Sequence, residues 1–200
     1  MNKVKSYTDQ QLLDRVRSLK SFNAIPQGIW ILGVRSNEDT PDTFDDKFYI
    51  FDHDQFVEVI SGTTNPGGNI LKGGFLRFNK FGAFVLKSDE CYYDCWKYIW
   101  RSSRGHELRQ VRPMKGFRDG NLNGKSEEIG EMITGLFGIN FHTNTFKWYN
   151  NIVKSIIGSW SAGCQVTNRR DHFLSLMNVF KNKKSSGEQP FVTYILLKEF

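Results

Sequence analysis

Short apolar runs bounded by turn-forming residues recur along this chain and limit what it can fold into. Residues 29–34, 47–51, 55–60, 83–86 and 191–197 are rich in β-branched and aromatic side chains. They are separated by turn material such as Pro26-Gln27-Gly28, Asp52-His53-Asp54 and Asn65-Pro66-Gly67-Gly68. Side chains of the first kind fit a pleated surface, and residues of the second kind reverse its direction. With 17 Phe and 18 Gly among 200 residues, the balance tips toward a mainly β fold with a few helices.

Two segments carry helical periodicity instead. Thr8 stands before Asp9-Gln10-Gln11 with Gln11 at the capping-box position, and Leu12, Leu13, Val16 and Leu19 form one apolar stripe. Past Arg169-Arg170-Asp171, Phe173, Leu176, Met177 and Phe180 repeat at the same spacing. Residues 91–100 fit either a strand or a short buried helix. Residues 108–115 alternate as a half-exposed strand that Pro113 confines to a sheet edge or ends. No repeat or long linker divides the chain, so the expectation is an N-terminal helix over 1–22 and a single domain over 23–200.

Composition narrows the partners. A net charge of +6 suits an anionic polymer or ordinary solubility. There is no RNA-binding signature, zinc-finger spacing or dense Lys/Arg block, so nucleic acid is not expected. No run is long and apolar enough to span a bilayer, and no apolar run follows the N-terminal residues, so no signal peptide is expected. Three cysteines rule against a complete disulfide framework. Cys91, Cys95 and His106 lack a fourth ligand for zinc, and the first two read as buried small hydrophobes. Asp119, Asn121, Asn123 and Gly124 occupy the first, third, fifth and sixth places of an EF-hand-like loop. The twelfth is Gly130 and not an acid, so the segment reads as a polar turn.

Chemistry concentrates in two short segments, Gly138-Ile139-Asn140-Phe141-His142-Thr143-Asn144 and Gly158-Ser159-Trp160-Ser161-Ala162-Gly163-Cys164-Gln165-Val166. His142 follows an alternation in which Ile139 and Phe141 face a core, so its ring projects from the opposite face. A histidine within reach of a cysteine creates and holds the nucleophilic thiolate. Gly163 lets substrate and backbone approach Cys164, and the backbone N–H groups of Gly163 and Cys164 are candidate oxyanion donors. Trp160 beside the nucleophile either lines a substrate groove or props the turn.

The pattern His142-Thr143, then Ser161-x-Gly163-Cys164, resembles the signature of the L,D-transpeptidase catalytic domain, with the base preceding the nucleophile. The resemblance covers residues 138–170. It implies a β-sandwich or barrel-like domain and a cysteine acyl-enzyme formed on peptidoglycan stem peptides, without metal or cofactor. His142 then corresponds to the base and Thr143 to the residue that orients it. Ser161, Gly163 and Cys164 fall on the nucleophile segment. Ala162 replaces the family's usual histidine and the gap is longer. Gln165-Val166 replaces an apolar residue followed by Asn or Arg, a role left to Asn168 or Arg169. The sequence is also similar to short phage proteins with Trp-Ser-Ala-Gly-Cys-Gln, implying synthesis in the cytoplasm and action at the bacterial wall in lysis or from the virion. The alternative class is a non-catalytic structural or wall-binding module.

Overall fold

A computed structural model describes residues 4–38, 40–103, 105–145 and 153–200. In chain order the elements are α1 (Asp9–Arg17), β1 (Ile29–Arg35), β2 (Asp46–Asp52), β3 (Gln55–Thr63), a single π-type turn (Ile70–Gly74), β4 (Ala83–Leu86) and β5 (Glu90–Arg101). They continue with β6 (Gly105–Gln110), β7 (Met114–Asp119), β8 (Ile133–Gly135), β9 (Phe141–Thr143), β10 (Gln165–Thr167), α2 (Arg170–Ser185) and β11 (Val192–Lys198). The chain is mainly β, as its runs of aromatic and β-branched residues predict.

Eight strands close into a barrel in the order β1-β11-β5-β6-β9-β10-β3-β2, while β4-β7-β8 form a separate three-stranded sheet. Two barrel pairs are parallel, β1 with β11 and β9 with β10. Closure removes the open edges of these eight strands, which would otherwise be exposed to pairing with other molecules. Between β2 and β3, Asp52 pairs with Gln55 across a two-residue turn in which His53 takes φ +55°. The expected turn at Asp52-His53-Asp54 is therefore a tight hairpin. Its His53 ring bonds to Asp52 at the exposed surface (Nδ1···Oδ1 2.8 Å).

The barrel interior is filled, not hollow. Trp96 stacks on Tyr194 at 4.6 Å between ring centres, and Phe141 meets the edge of Phe48 at 5.1 Å. Phe84, Leu86 and Met114 of the small sheet join this cluster, as do Phe173, Leu176, Met177 and Phe180 of α2. Each such side chain contributes about 1.5–3 kcal/mol through removal from water. A second cluster lies on the outer wall, where Leu12, Leu13 and Val16 of α1 cover Trp30, Leu32, Val34, Phe51, Ile195 and Leu197. Alternate residues of β1 thus serve the two clusters, Ile31 inside and Trp30 and Leu32 outside, which explains why that strand reads as a continuous apolar run.

Three local expectations are resolved. Residues 91–100 belong to a strand, β5, whose alternation is broken by a bulge: the pairing with β11 shifts between Val192 and Tyr194, and Asp94 sits at φ +51°. Cys91 and Cys95 consequently fall into different clusters, Cys91 under α1 and Cys95 in the barrel core. Residues 108–115 are not one strand. The segment divides into β6 of the barrel and β7 of the small sheet, with Pro113 between them supplying no ladder donor. At Asp119–Asn123, the side-chain amides of Asn121 and Asn123 donate to Glu127 (2.7 and 2.6 Å) and Glu127 N–H donates to Asp119 (3.0 Å), forming a closed polar turn. Of the polar connection expected over 146–157, residues 146–152 lie outside the described residues.

Candidate functional site

The parallel pair β9–β10 brings the two segments of interest together. Val166 is paired with His142, Gln165 with Phe141 and Thr167 with Thr143. Directly paired residues point to the same side of a sheet, so alternate positions separate two faces. Phe141 and Gln165 face the barrel interior, where Tyr194 donates its hydroxyl to Gln165 Oε1 at 2.6 Å. His142 and Val166 face outward. Ahead of β10 the ladder continues, with Gln165 N–H donating to Asn140 O at 2.8 Å. Cys164 immediately precedes β10, and continuing the alternation puts it on the Val166 side. Its place beside Val166 in the outer cluster with Phe44, Ile157 and Trp160 agrees with that parity.

The imidazole is held in one tautomer by the backbone. His142 is buried, and its Nδ1 lies 2.9 Å from the carbonyl oxygen of Thr143. A carbonyl only accepts, so Nδ1 carries the proton and Nε2 is the basic nitrogen of the neutral ring. Thr143 thus orients the ring through its main chain. Its hydroxyl is buried without a hydrogen-bond partner among the described residues.

The turn that presents Cys164 is built by its small residues. Ser161, fully buried, donates its hydroxyl to Cys164 O at 2.8 Å and accepts from Gly163 N–H at 3.2 Å. Gln165 adds a bond from its side-chain amide to Gly163 O at 3.1 Å. The strand β4 crosses directly over the turn, Phe84 N–H donating to Ala162 O at 3.0 Å. Gly163 takes φ +135°, and a Cβ there would stand 2.5 Å from Phe84 O and 3.0 Å from Ile139 Cδ1. Glycine is required at this position by packing, independently of any substrate. The Gly163 N–H, an expected oxyanion donor, is directed at Ser161 instead.

The Cys164 thiol donates to Gly138 O at 3.4 Å and is partly exposed. The other two thiols are buried; burial pushes Cys91 up from the usual thiol value and Cys95 well above it. Trp160 is half-buried against the Cys164 cluster, and the Lys154 ammonium lies 4.8 Å from its ring centre. Arg169 is at the start of α2, its guanidinium held by Asp171 at 2.6 Å. That contact, with the charge beside it, holds the Asp171 carboxyl at about 2.

Several contributors to the site carry no local sequence signal. Gln110 secures the strand before His142, its side-chain carbonyl accepting from Phe137 N–H (3.0 Å) and Ile139 N–H (2.9 Å) while Trp96 Nε1–H donates to Ile139 O (2.7 Å). Asp42 accepts from Gly158 N–H at 2.6 Å and Gly68 N–H at 2.8 Å, anchoring the entry to the Cys164 segment. Asp42 and Gln110 are distant in sequence from both segments, so only the folded chain reveals them. Among the described residues, no group of three or more His, Cys, Asp or Glu side chains is arranged to hold a metal ion, and no helix is long and apolar enough to cross a membrane. Compared with models of known protein families, with curated proteins and with solved structures, the chain shows no match.

Proposed function

We propose that this chain is a cysteine-dependent acyl-transfer enzyme acting on peptidoglycan stem peptides, in the manner of the L,D-transpeptidases. One observation carries the reading: a histidine whose Nδ1–H is committed to a backbone carbonyl sits on a strand paired in parallel with the one that a partly exposed cysteine immediately precedes. In the proposed reaction His142 Nε2 takes the Cys164 proton and the thiolate attacks a stem-peptide carbonyl carbon. The imidazolium then returns the proton to the departing amine, leaving a thioester on Cys164. An incoming amine converts that thioester to a cross-link, and water hydrolyses it. The net charge of +6 suits an anionic wall. Action at the bacterial wall, as a phage lysis or virion protein, belongs to the same proposal.

A non-catalytic wall-binding module is favoured by a different observation: Gly163 and Ser161 both have complete packing roles, so neither requires a reaction to explain it. Thiol labelling and muropeptide turnover separate the two. Iodoacetamide is expected to modify Cys164 far faster than Cys91 or Cys95, and His142→Ala is expected to slow that labelling to the rate of an ordinary thiol. Cys164→Ala and His142→Ala should each abolish muropeptide turnover with folding intact. Labelling of Cys164 that ignores His142, together with no muropeptide product, would overturn the acyl-transfer reading in favour of a non-catalytic role.

A further inference from the structure

The region of the three-stranded sheet carries a cleft of about 420 Å³ lined by Asn79, Phe81, Arg118, Ile129, Glu131 and Ile133. Arg118 on β7 is paired with Phe84 on β4, and its guanidinium carbon lies 5.4 Å from the Phe84 ring centre and 5.3 Å from that of Phe137. The two rings stack on each other at 4.4 Å. Gly116 makes this possible, since a Cβ there would stand 2.5 Å from Phe84 Cζ. The main chain of the same two residues leads to the nucleophile: Phe84 O abuts Gly163, and Phe137 precedes Gly138, whose carbonyl accepts the Cys164 thiol.

Within this setting Arg118 donates to Gly82 O at 3.2 Å, and among the described residues no carboxylate forms an ion pair with it. A guanidinium offers five donors in a planar fork suited to carboxylate, so most of its recognition capacity is unspent. Burial draws the group down from its ordinary value, and no acid offsets that cost. The walls around it are apolar and open at the rim, with Phe81 61% and Ile129 51% exposed.

We propose that the Arg118 cleft is the subsite for a free carboxylate of the acyl-donor peptide, with Phe81 and Ile129 covering the adjoining peptide atoms. This rests on the acyl-transfer reading of Cys164 and His142 and names a specificity-determining residue for it. Glu131 lines the same cleft and opposes the incoming charge, which sets a limit on affinity.

The test is calorimetric titration of the full chain carrying Cys164→Ala, which prevents turnover, with a stem tetrapeptide as the free acid and as its fully amidated form. The free acid is expected to bind about tenfold more tightly, the scale of a charge-assisted bidentate contact. Adding Arg118→Gln should bring the two affinities together, and adding Glu131→Gln should tighten the free acid a few-fold while leaving the amide unchanged. Equal affinity for the two peptides, a preference that survives Arg118→Gln, or no effect of Glu131→Gln would overturn the subsite. Because Glu131 is exposed, its substitution tests the cleft even where Arg118→Gln disturbs the sheet. Absence of binding by either peptide also overturns the subsite, whereas the thiol chemistry is judged separately by iodoacetamide labelling of the native chain.

Discussion

Replacing Gly163 with alanine adds one methyl group at the most confined point of the site. Its Cβ would lie 2.5 Å from Phe84 O, 3.0 Å from Ile139 Cδ1 and 3.1 Å from Phe84 Cβ. The carbonyl has little room to retreat, because β4 is paired with β7 and Phe84 N–H is bonded to Ala162 on the same turn. Two costs add. Holding a non-glycine residue at φ +135° costs about 1–3 kcal/mol. Overpacking a well-filled site costs about 1–3 kcal/mol more. The sum, roughly 2–6 kcal/mol, is a large share of the ~5–15 kcal/mol that stabilises an ordinary domain. Gly187→Ala supplies the comparison: Gly187 has φ +79° and nothing within 4 Å of an added Cβ, so it reports the cost of a positive φ without a clash. Urea unfolding of both variants is expected to show Gly163→Ala losing about 1–3 kcal/mol more than Gly187→Ala. Gly163→Ala should also change the labelling rate of Cys164, whereas Gly187→Ala should not. Equal losses in the two variants would show that the crossing of β4 does not hold the turn and would refute the packing account of Gly163.

Ser161→Ala removes the acceptor of Gly163 N–H and the donor to Cys164 O in a fully buried setting, so urea unfolding should reveal a loss of about 1–3 kcal/mol, with activity reduced less than in Cys164→Ala. Arg169→Ala should return Asp171 from about 2 to the ordinary carboxylate range in a carbon-detected NMR titration. Since the folded value is depressed, the stabilisation is present above the unfolded carboxylate value and is lost as pH falls through about 2. It is small because the pair is exposed. Thr8→Ala should destabilise α1 by about 1 kcal/mol, read as a lower urea midpoint at unchanged slope, because it deletes the cap on Gln11 N–H.

Much of the fold is determined locally and is legible in the chain. The Thr8–Gln11 capping box, the stripe on α2, the Asp52-His53-Asp54 hairpin and most strands follow from turn chemistry and side-chain period, which act over a few residues. So does the outward direction of His142, because alternation in a strand fixes it relative to Phe141. Where the local period is interrupted, the sequence becomes ambiguous. The bulge at Asp94 shifts the phase of β5, and its position is set by pairing with β11, from nearly a hundred residues away. The division of residues 108–115 between two sheets likewise depends on which partners are available, Trp96 for Gln110 and Gly135 for Met114. At the site, the residue types were readable but their tasks were not. Tertiary structure assigns the imidazole tautomer to the Thr143 carbonyl and the necessity of Gly163 to a strand crossing overhead. It also brings Asp42, Gln110 and Arg118 to the site's surroundings. Close approach of segments remote in sequence leaves no periodic trace, so these roles are decided only once the barrel has closed.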